Sequence, residues 1–258
     1  MIEFDKLQDF PDGVALVFGG SGGLGQSIAR LLAARGAQVA VTYRSRKDEA
    51  DKVVGQIEAH GGSAIALRAD MTDADSVRAA VEEAVKRYGR IHTVVTGQGL
   101  SFCTDNVGEL SPQDFRNVIE TDVIGFFNVA QATLPLMRKS GGSYVGLVTT
   151  GIGRTHAGDA LSCVPKAALA MMLKEIAVEE AQYGIRANGV GPGVIMAGMV
   201  LPMYETDAKV FLDQAVAVTP LKRAGTDLEI AEAVVFLASR RASYITGNML
   251  MVDGGLAA

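Results

Sequence analysis

The sequence predicts an α/β fold, a single-domain, doubly wound parallel sheet with helices on both faces. Three observations point to it. Short runs that are apolar throughout, as strands buried on both faces must be, alternate with longer amphipathic stretches of helical spacing. The first run leads straight into a glycine-rich turn and then a helix pattern. No linker, repeat or low-complexity tract interrupts the 258 residues, so residues 1–258 read as one domain.

Each element has its own signal. Residues 14–18 are the first strand. Leu24, Ile28, Leu31 and Leu32 lay an apolar stripe along a helix over 23–35, which Gly36 stops. Residues 38–43 form the second strand, and 47–60 a helix closed by Gly61 and Gly62. The third strand spans 63–69, a helix follows over 73–88 up to Gly89, and 91–96 is the fourth strand. Ser111 before Pro112 reads as an N-cap with proline at the first helical position. That helix runs to about residue 139, with a break near Asp122. Residues 142–148 form the fifth strand. The next helix is expected over about 165–183, because Pro165 disfavours helical geometry at Val164. Residues 185–190 and 249–252 are the last two strands, with a helix over 227–238 between them. The stretch 194–218 is less regular and apolar, with Val194, Ile195, Met196, Met199, Val200, Leu201, Met203 and Phe211.

Composition excludes several classes. With 48% hydrophobic and 21% charged residues, the chain is neither disordered nor collagen-like. Its 24 basic and 29 acidic residues give a net charge of −5 without a basic run, which argues against nucleic acid or an anionic membrane surface as partner. Cys103 and Cys163 cannot build a disulfide framework, and His60, His92 and His156 lie too far apart in sequence to suggest a metal site. The opening residues are acidic and lack the apolar core of a secretory signal, and no stretch has the length of a membrane span. A cytoplasmic location is expected.

The glycine turn is Gly19, Gly20, Ser21, Gly22, Gly23, Leu24, Gly25. Gly20, Gly22 and Gly25 satisfy GxGxxG; Gly19, Gly23 and Gly25 satisfy GxxxGxG. Between a buried strand and a helix, such a turn lets the backbone approach a pyrophosphate. The helix start then offers free N–H groups and the positive end of its dipole. This is the phosphate-binding arrangement of a Rossmann fold. An NAD site would place an acid at the end of the second strand. That strand ends instead in Thr42, Tyr43, Arg44, Ser45, Arg46 and Lys47. Arg44, with Arg46 or Lys47, suits a 2′-phosphate, so NADP(H) is favoured over NAD(H).

With this turn in place, the chain resembles the short-chain dehydrogenase/reductase family over its full length. The family's TGxxxGxG appears as Phe18 to Gly25, its Asp–apolar pair as Asp70 and Met71, and its N-x-V-x-P-G segment as Asn188 to Gly193. The run from Thr246 to Gly255 matches the family's last strand and C-terminal turn. In the tail and in 39–50 the chain is most similar to 3-oxoacyl carrier-protein reductases. The resemblance implies that Asp70 and Met71 contact adenine. It also implies that Tyr43, Gly97, Pro192, Gly193 and Ile195 border the cofactor, with 194–218 as an apolar substrate lid. A homotetramer is implied too, packed through helices at 111–139 and 165–183, where Ala167, Leu169, Met171, Met172 and Ile176 fit either an interface or a core.

The catalytic positions depart from the family. Its Tyr-x-x-x-Lys is Ser162 to Lys166 here, its upstream serine is Thr149 followed by Thr150, and its helix asparagine is Asp122. Its Asn-Asn-Ala-Gly is Thr96, Gly97, Gln98, Gly99. A phenol near pKa ~10 can be lowered by an adjacent Lys⁺ and donate a proton during hydride transfer; a serine hydroxyl is far more basic. The resemblance therefore assigns Lys166 to the nicotinamide ribose and Ser162 and Thr149 to polarising the substrate. It leaves the proton to a water, to Lys166 itself or to His156. Ser162 as a plain helix cap is the competing reading. One branch, the 2,4-dienoyl-CoA reductases, also has Ser-x-x-x-Lys, but takes its proton from a tyrosine just after the threonine pair, where this chain has Gly151 and Ile152. The expected function is an NADP(H)-dependent oxidoreductase acting on a hydrophobic carbonyl or enoyl substrate. The alternative is a catalytically impaired NADP(H)-binding module, or the inactive subunit of a mixed oligomer.

Overall fold

The computed structural model describes residues 8–97, 99, 105–198, 200–203, 205–206 and 208–258. Cys103, Gln98 and Met199 lie outside the described residues. Seven parallel strands form one sheet: β1 (Val14–Phe18), β2 (Gln38–Tyr43), β3 (Ala64–Arg68), β4 (Ile91–Thr96), β5 (Gly142–Leu147), β6 (Ile185–Pro192) and β7 (Met249–Val252). Their order is β3-β2-β1-β4-β5-β6-β7. The sheet is therefore wound outward in both directions from the β1–β4 pair, where Val17 faces Val95 and Phe18 faces Thr96.

Both faces are covered, which is why the strands are apolar throughout. On one face Ala15, Val17, Val39 and Val41 pack beneath α1 (Gly23–Ala34), α2 (Lys47–Ala59) and α9 (Asp227–Ala238), through Ile28, Leu32, Val53, Ile57, Ile230 and Val234. On the other, Leu16, Phe18, Val94 and Tyr144 meet α3 (Ala74–Tyr88), α5 (Gly125–Met137) and α6 (Ala160–Glu179), through Val77, Val81, Phe126, Val129, Leu169 and Leu173. Alternate residues of β1 thus enter different cores, as the period-two geometry of a strand requires.

The helix boundaries show where local signals hold and where they yield. Ser111 accepts from the amides of Gln113 and Asp114 and opens α4 (Pro112–Val118) as expected. The break near Asp122 is a π-helical turn, Ile119–Ile124, between α4 and α5. The expected start at 165 is corrected: α6 begins at Ala160 and contains Pro165. Burial of Leu161, Cys163 and Pro165 outweighs the bias that proline imposes on the preceding residue. Ser162 therefore lies inside the helix and is not its cap. The irregular 194–218 stretch holds two helices, α7 (Val200–Met203) and α8 (Ala208–Val218). Along α6, Leu169 and Ile176 are core residues, whereas Ala167 and Met171 face outward. Among the described residues no helix is long and apolar enough to cross a membrane.

His92 in β4 is buried far from the carboxyl ends of the strands, stacked on Phe10 with ring centroids 5.5 Å apart. Burial, helped by the charges of Arg90 and Arg240, lowers its pKa from 6.5 to about 4. The unfolded chain thus takes up a proton at a higher pH than the folded one. Stability is fully present above the ordinary histidine value and falls between pH 6.5 and about 4. Urea unfolding across that range is expected to lose about 3 kcal/mol, and His92→Phe to flatten the slope.

Candidate active site

The site forms where the sheet reverses its winding. Gly19 leaves β1 with φ 79°. Its amide donates to Thr42 Oγ1 at 3.3 Å, and the Ser21 amide donates to the Thr42 carbonyl at 3.3 Å. Thr42 thus ties the turn to β2, a role that nothing in the sequence signals. A Cβ on Gly25 would lie 2.2 Å from the Gly19 carbonyl oxygen, so the turn closes only around glycine there. Gly22 is the N-cap of α1, with no side-chain cap and no acid in the first turn. By contrast Asp73, Ser111 and Thr226 cap α3, α4 and α9 with their side chains. Amides of α1 are therefore left for an external acceptor, at the positive end of the helix dipole. The Arg46 guanidinium leans over this turn, Nη2 lying 3.5 Å from where a Gly22 Cβ would be. Lys47 is turned away and pairs with Asp51. The turn, the helix end and Arg46 suit a dinucleotide pyrophosphate and its neighbouring anions.

The other expected cofactor residues border the same crevice. Tyr43 and Arg44 follow at the end of β2, half-buried and exposed respectively. Asp70, beyond β3, accepts from the amide and hydroxyl of Thr72 at 3.1 and 2.8 Å. Met71 is buried, and its carbonyl accepts from Asn128 at 2.8 Å. Gly97 continues β4 and donates its amide to the Phe18 carbonyl at 2.9 Å, so the ends of β1 and β4 are stitched together. Asn188 is structural: its amide group ties β6 to Ile245 and Asn248. Pro192 pairs with Val252, and the Gly193 amide donates to the Val252 carbonyl at 3.1 Å. Ile195 is buried and bridges to Gly225, after which Gly198 folds against Gly23. A Cβ on Gly23 would lie 2.3 Å from the Gly198 Cα, so the chain at Gly198 packs on the helix end that the glycine turn creates.

Across the crevice lie the residues with chemistry. Thr149, half-buried after β5, accepts from the Gly151 amide at 3.2 Å. Thr150 donates to Asp253, which also accepts from the amides of Gly255 and Ala257. Burial pushes the Asp253 carboxyl up, but these bonds outweigh it and hold it below its usual value. Ser162 and Lys166 stand one helical turn apart on α6, which places them on one face. Lys166 is not a surface lysine: it is 7% exposed, and its Nζ lies 3.0 Å from Oδ2 of Asp122, itself 4% exposed. The π-helical turn brings Asp122 inward, as such turns often do at functional sites. Gly99 covers the pair with φ 119°; a Cβ there would fall 2.3 Å from Lys166 Nζ. A Cβ on Gly151 would lie 2.4 Å from Cys163 Sγ. That thiol donates to Asp159 at 3.0 Å, and burial, with Asp159, pushes its pKa up to about 12. His156 is half-buried, its Nε2 shielded and without a hydrogen-bond partner. An apolar groove of about 490 Å³ flanks the start of α6, lined by Val107, Leu110, Phe115, Ala160 and Val164 with Arg116 at its wall.

A parallel sheet of this order, with an uncapped helix end at its switch point, is built for dinucleotides, and the class it defines here is the nicotinamide-dependent oxidoreductases. The chain belongs to the short-chain dehydrogenase/reductase family and is an NAD(P)-dependent oxidoreductase of that type. The profile of a family described as Enoyl-(Acyl carrier protein) reductase matches residues 19–257. The 3-oxoacyl-(acyl-carrier-protein) reductase FabG of Staphylococcus epidermidis is 36% identical over 244 residues, 94% of this chain and 98% of that protein. The 1-cyclohexenylcarbonyl-CoA reductase of Streptomyces collinus is 33% identical over 243 residues, 94% and 86% of the two chains. The crystal structure of a blue fluorescent protein from a metagenomic library, in complex with NADPH, superimposes with a TM-score of 0.88 at 35% identity, covering 97% of this chain and 100% of that one.

The Lys166–Asp122 pair makes a prediction independent of activity. Removing one partner takes the counter-ion 3.0 Å away from a buried charge, so Lys166→Met and Asp122→Leu should each lower the unfolding free energy by about 3 kcal/mol. The double variant should lose clearly less than their sum. Chemical denaturation of the four proteins measures the coupling, and strict additivity would refute it.

Proposed function

We propose that this chain transfers hydride between NADP(H) and a hydrophobic carbonyl or enoyl substrate. The carrying observation is the buried Lys166–Asp122 pair, set across the switch-point crevice from an anion-accepting turn beneath Arg46. Bound NADP(H) supplies or accepts the hydride. Gly19, Ser21, Gly22, Gly23, Leu24 and Gly25 receive its pyrophosphate, and Arg44 and Arg46 take the 2′-phosphate, which favours NADP(H) over NAD(H). Asp70 and Met71 border the adenine; Gly97, Pro192, Gly193 and Ile195 border the nicotinamide end, with Lys166 on its ribose. Thr149 and Ser162 hydrogen-bond the substrate's acceptor oxygen and so stabilise the charge that grows there during hydride transfer.

The names of two relatives support the substrate class: one reduces 3-oxoacyl groups on a carrier protein, the other a cyclohexenylcarbonyl-CoA. The groove at Val107, Phe115 and Val164 and the apolar lid at 194–218 offer surface for an acyl chain. Outward-facing Phe115, Phe127, Val164, Met171 and Val178 on α4 to α6 support a homotetramer, and the absence of a basic run fits a cytoplasmic enzyme without a nucleic-acid partner.

NADPH fluorescence titration is expected to show binding at least about tenfold tighter than NADH, the worth of roughly one charged contact. Arg44→Ala with Arg46→Ala should erase that preference, weakening NADPH binding far more than NADH binding. With NADPH saturating, the wild type should turn over acetoacetyl-CoA or crotonyl-CoA. Tight NADPH binding without turnover on either thioester would instead favour the impaired binding module.

A further inference from the structure

The tyrosine that the family pairs with its lysine is absent, and its space is not refilled by another hydroxyl acid. Ser162 is too weak an acid, and no tyrosine lies between Tyr144 and Tyr183. The Cys163 proton is held by burial and by Asp159. Among the described groups drawn together here, the Lys166 ammonium stands out. An ammonium, like a phenol, can pass a proton to an anion that develops beside it. The Asp122 carboxylate, with Oδ2 3.0 Å from Nζ, fixes the position of that group where both side chains are buried.

We propose that Asp122 is a positioning residue that holds and aims the Lys166 ammonium, so that Lys166, in place of a tyrosine hydroxyl, delivers the proton of reduction. This rests on the reductase reading above. The substrate's π bond receives hydride at one end. The electron pair displaced to the other end, onto a carbonyl oxygen or an enoyl α-carbon, takes a proton from Lys166 Nζ. The N–H bond breaks, an O–H or C–H bond forms, and the neutral amine stays hydrogen-bonded to the Asp122 carboxylate until a solvent proton restores it. Gly99 fits this role: its missing side chain leaves room for Nζ under the β4 extension.

The test uses the full chain saturated with NADPH, with acetoacetyl-CoA and crotonyl-CoA as probes. Lys166→Ala should lower kcat by at least about 100-fold, the usual worth of a general acid, while NADPH fluorescence still reports a bound cofactor. Added ethylammonium should restore at least about tenfold of that loss, because a small amine can fill the vacated site beside Asp122. In Lys166→Ala/Asp122→Ala the amine has no anchor and rescue should vanish. Asp122→Asn, which keeps the shape, should cut kcat about tenfold or more with substrate KM little changed. Near-wild-type kcat in Lys166→Ala, or equal amine rescue with and without Asp122, overturns this inference alone. A wild type that binds NADPH yet turns over neither thioester overturns the reductase reading beneath it.

Discussion

Strands β1 and β4 lie side by side although two strands separate them in sequence, and the helices that follow them leave on opposite faces of the sheet. Everything functional in the molecule depends on that divergence. Between the two departing chains the carboxyl edge of the sheet is left open. The start of α1, which no side chain caps, lies at that gap. The Gly97 amide bonded to the Phe18 carbonyl keeps the two strand ends together, so the crevice has a fixed floor. Its walls are supplied by segments distant in sequence: the loop after β5, the first turns of α6 and the segment that packs on Gly23 at Gly198.

The two sides of the crevice are built on different electrostatic principles. The glycine turn carries no side-chain charge of its own and meets an anion with oriented amides, a helix dipole and one overhanging guanidinium. The opposite side buries a full cation and neutralises it with a full anion. Placing both charges away from water is expensive unless they meet closely, which they do. The π-helical turn is what allows it: an extra residue in the helix rotates Asp122 inward without disturbing α5, whose Phe126 and Val129 are fixed in the core.

A second layer of residues sets the first. Asp253, in the turn after β7, accepts from Thr150 and so clamps the loop that presents Thr149. Arg154 donates to the Leu256 carbonyl and reinforces the same clamp. The C-terminal turn is thus part of the site's scaffold, which gives a physical reason for its resemblance to the family tail. Thr42 does the same for the glycine turn from the far side of β1.

The sequence by itself determined the sheet and the glycine turn, and it singled out Thr149, Ser162 and Lys166 as candidates. Strands buried on both faces must be apolar without alternation, and a turn that approaches a phosphate must lack side chains; both constraints act within a few consecutive residues and so are written locally. Only the tertiary structure decided that α6 starts at Ala160 despite Pro165, because the stabilisation there comes from burial against the sheet, which no local preference contains. It alone decided that the break near Asp122 turns a carboxylate toward Lys166, and that Thr42 and Gly99 matter at all. These are contacts between residues separated by tens of positions, and their energy exists only once the chain has closed around them.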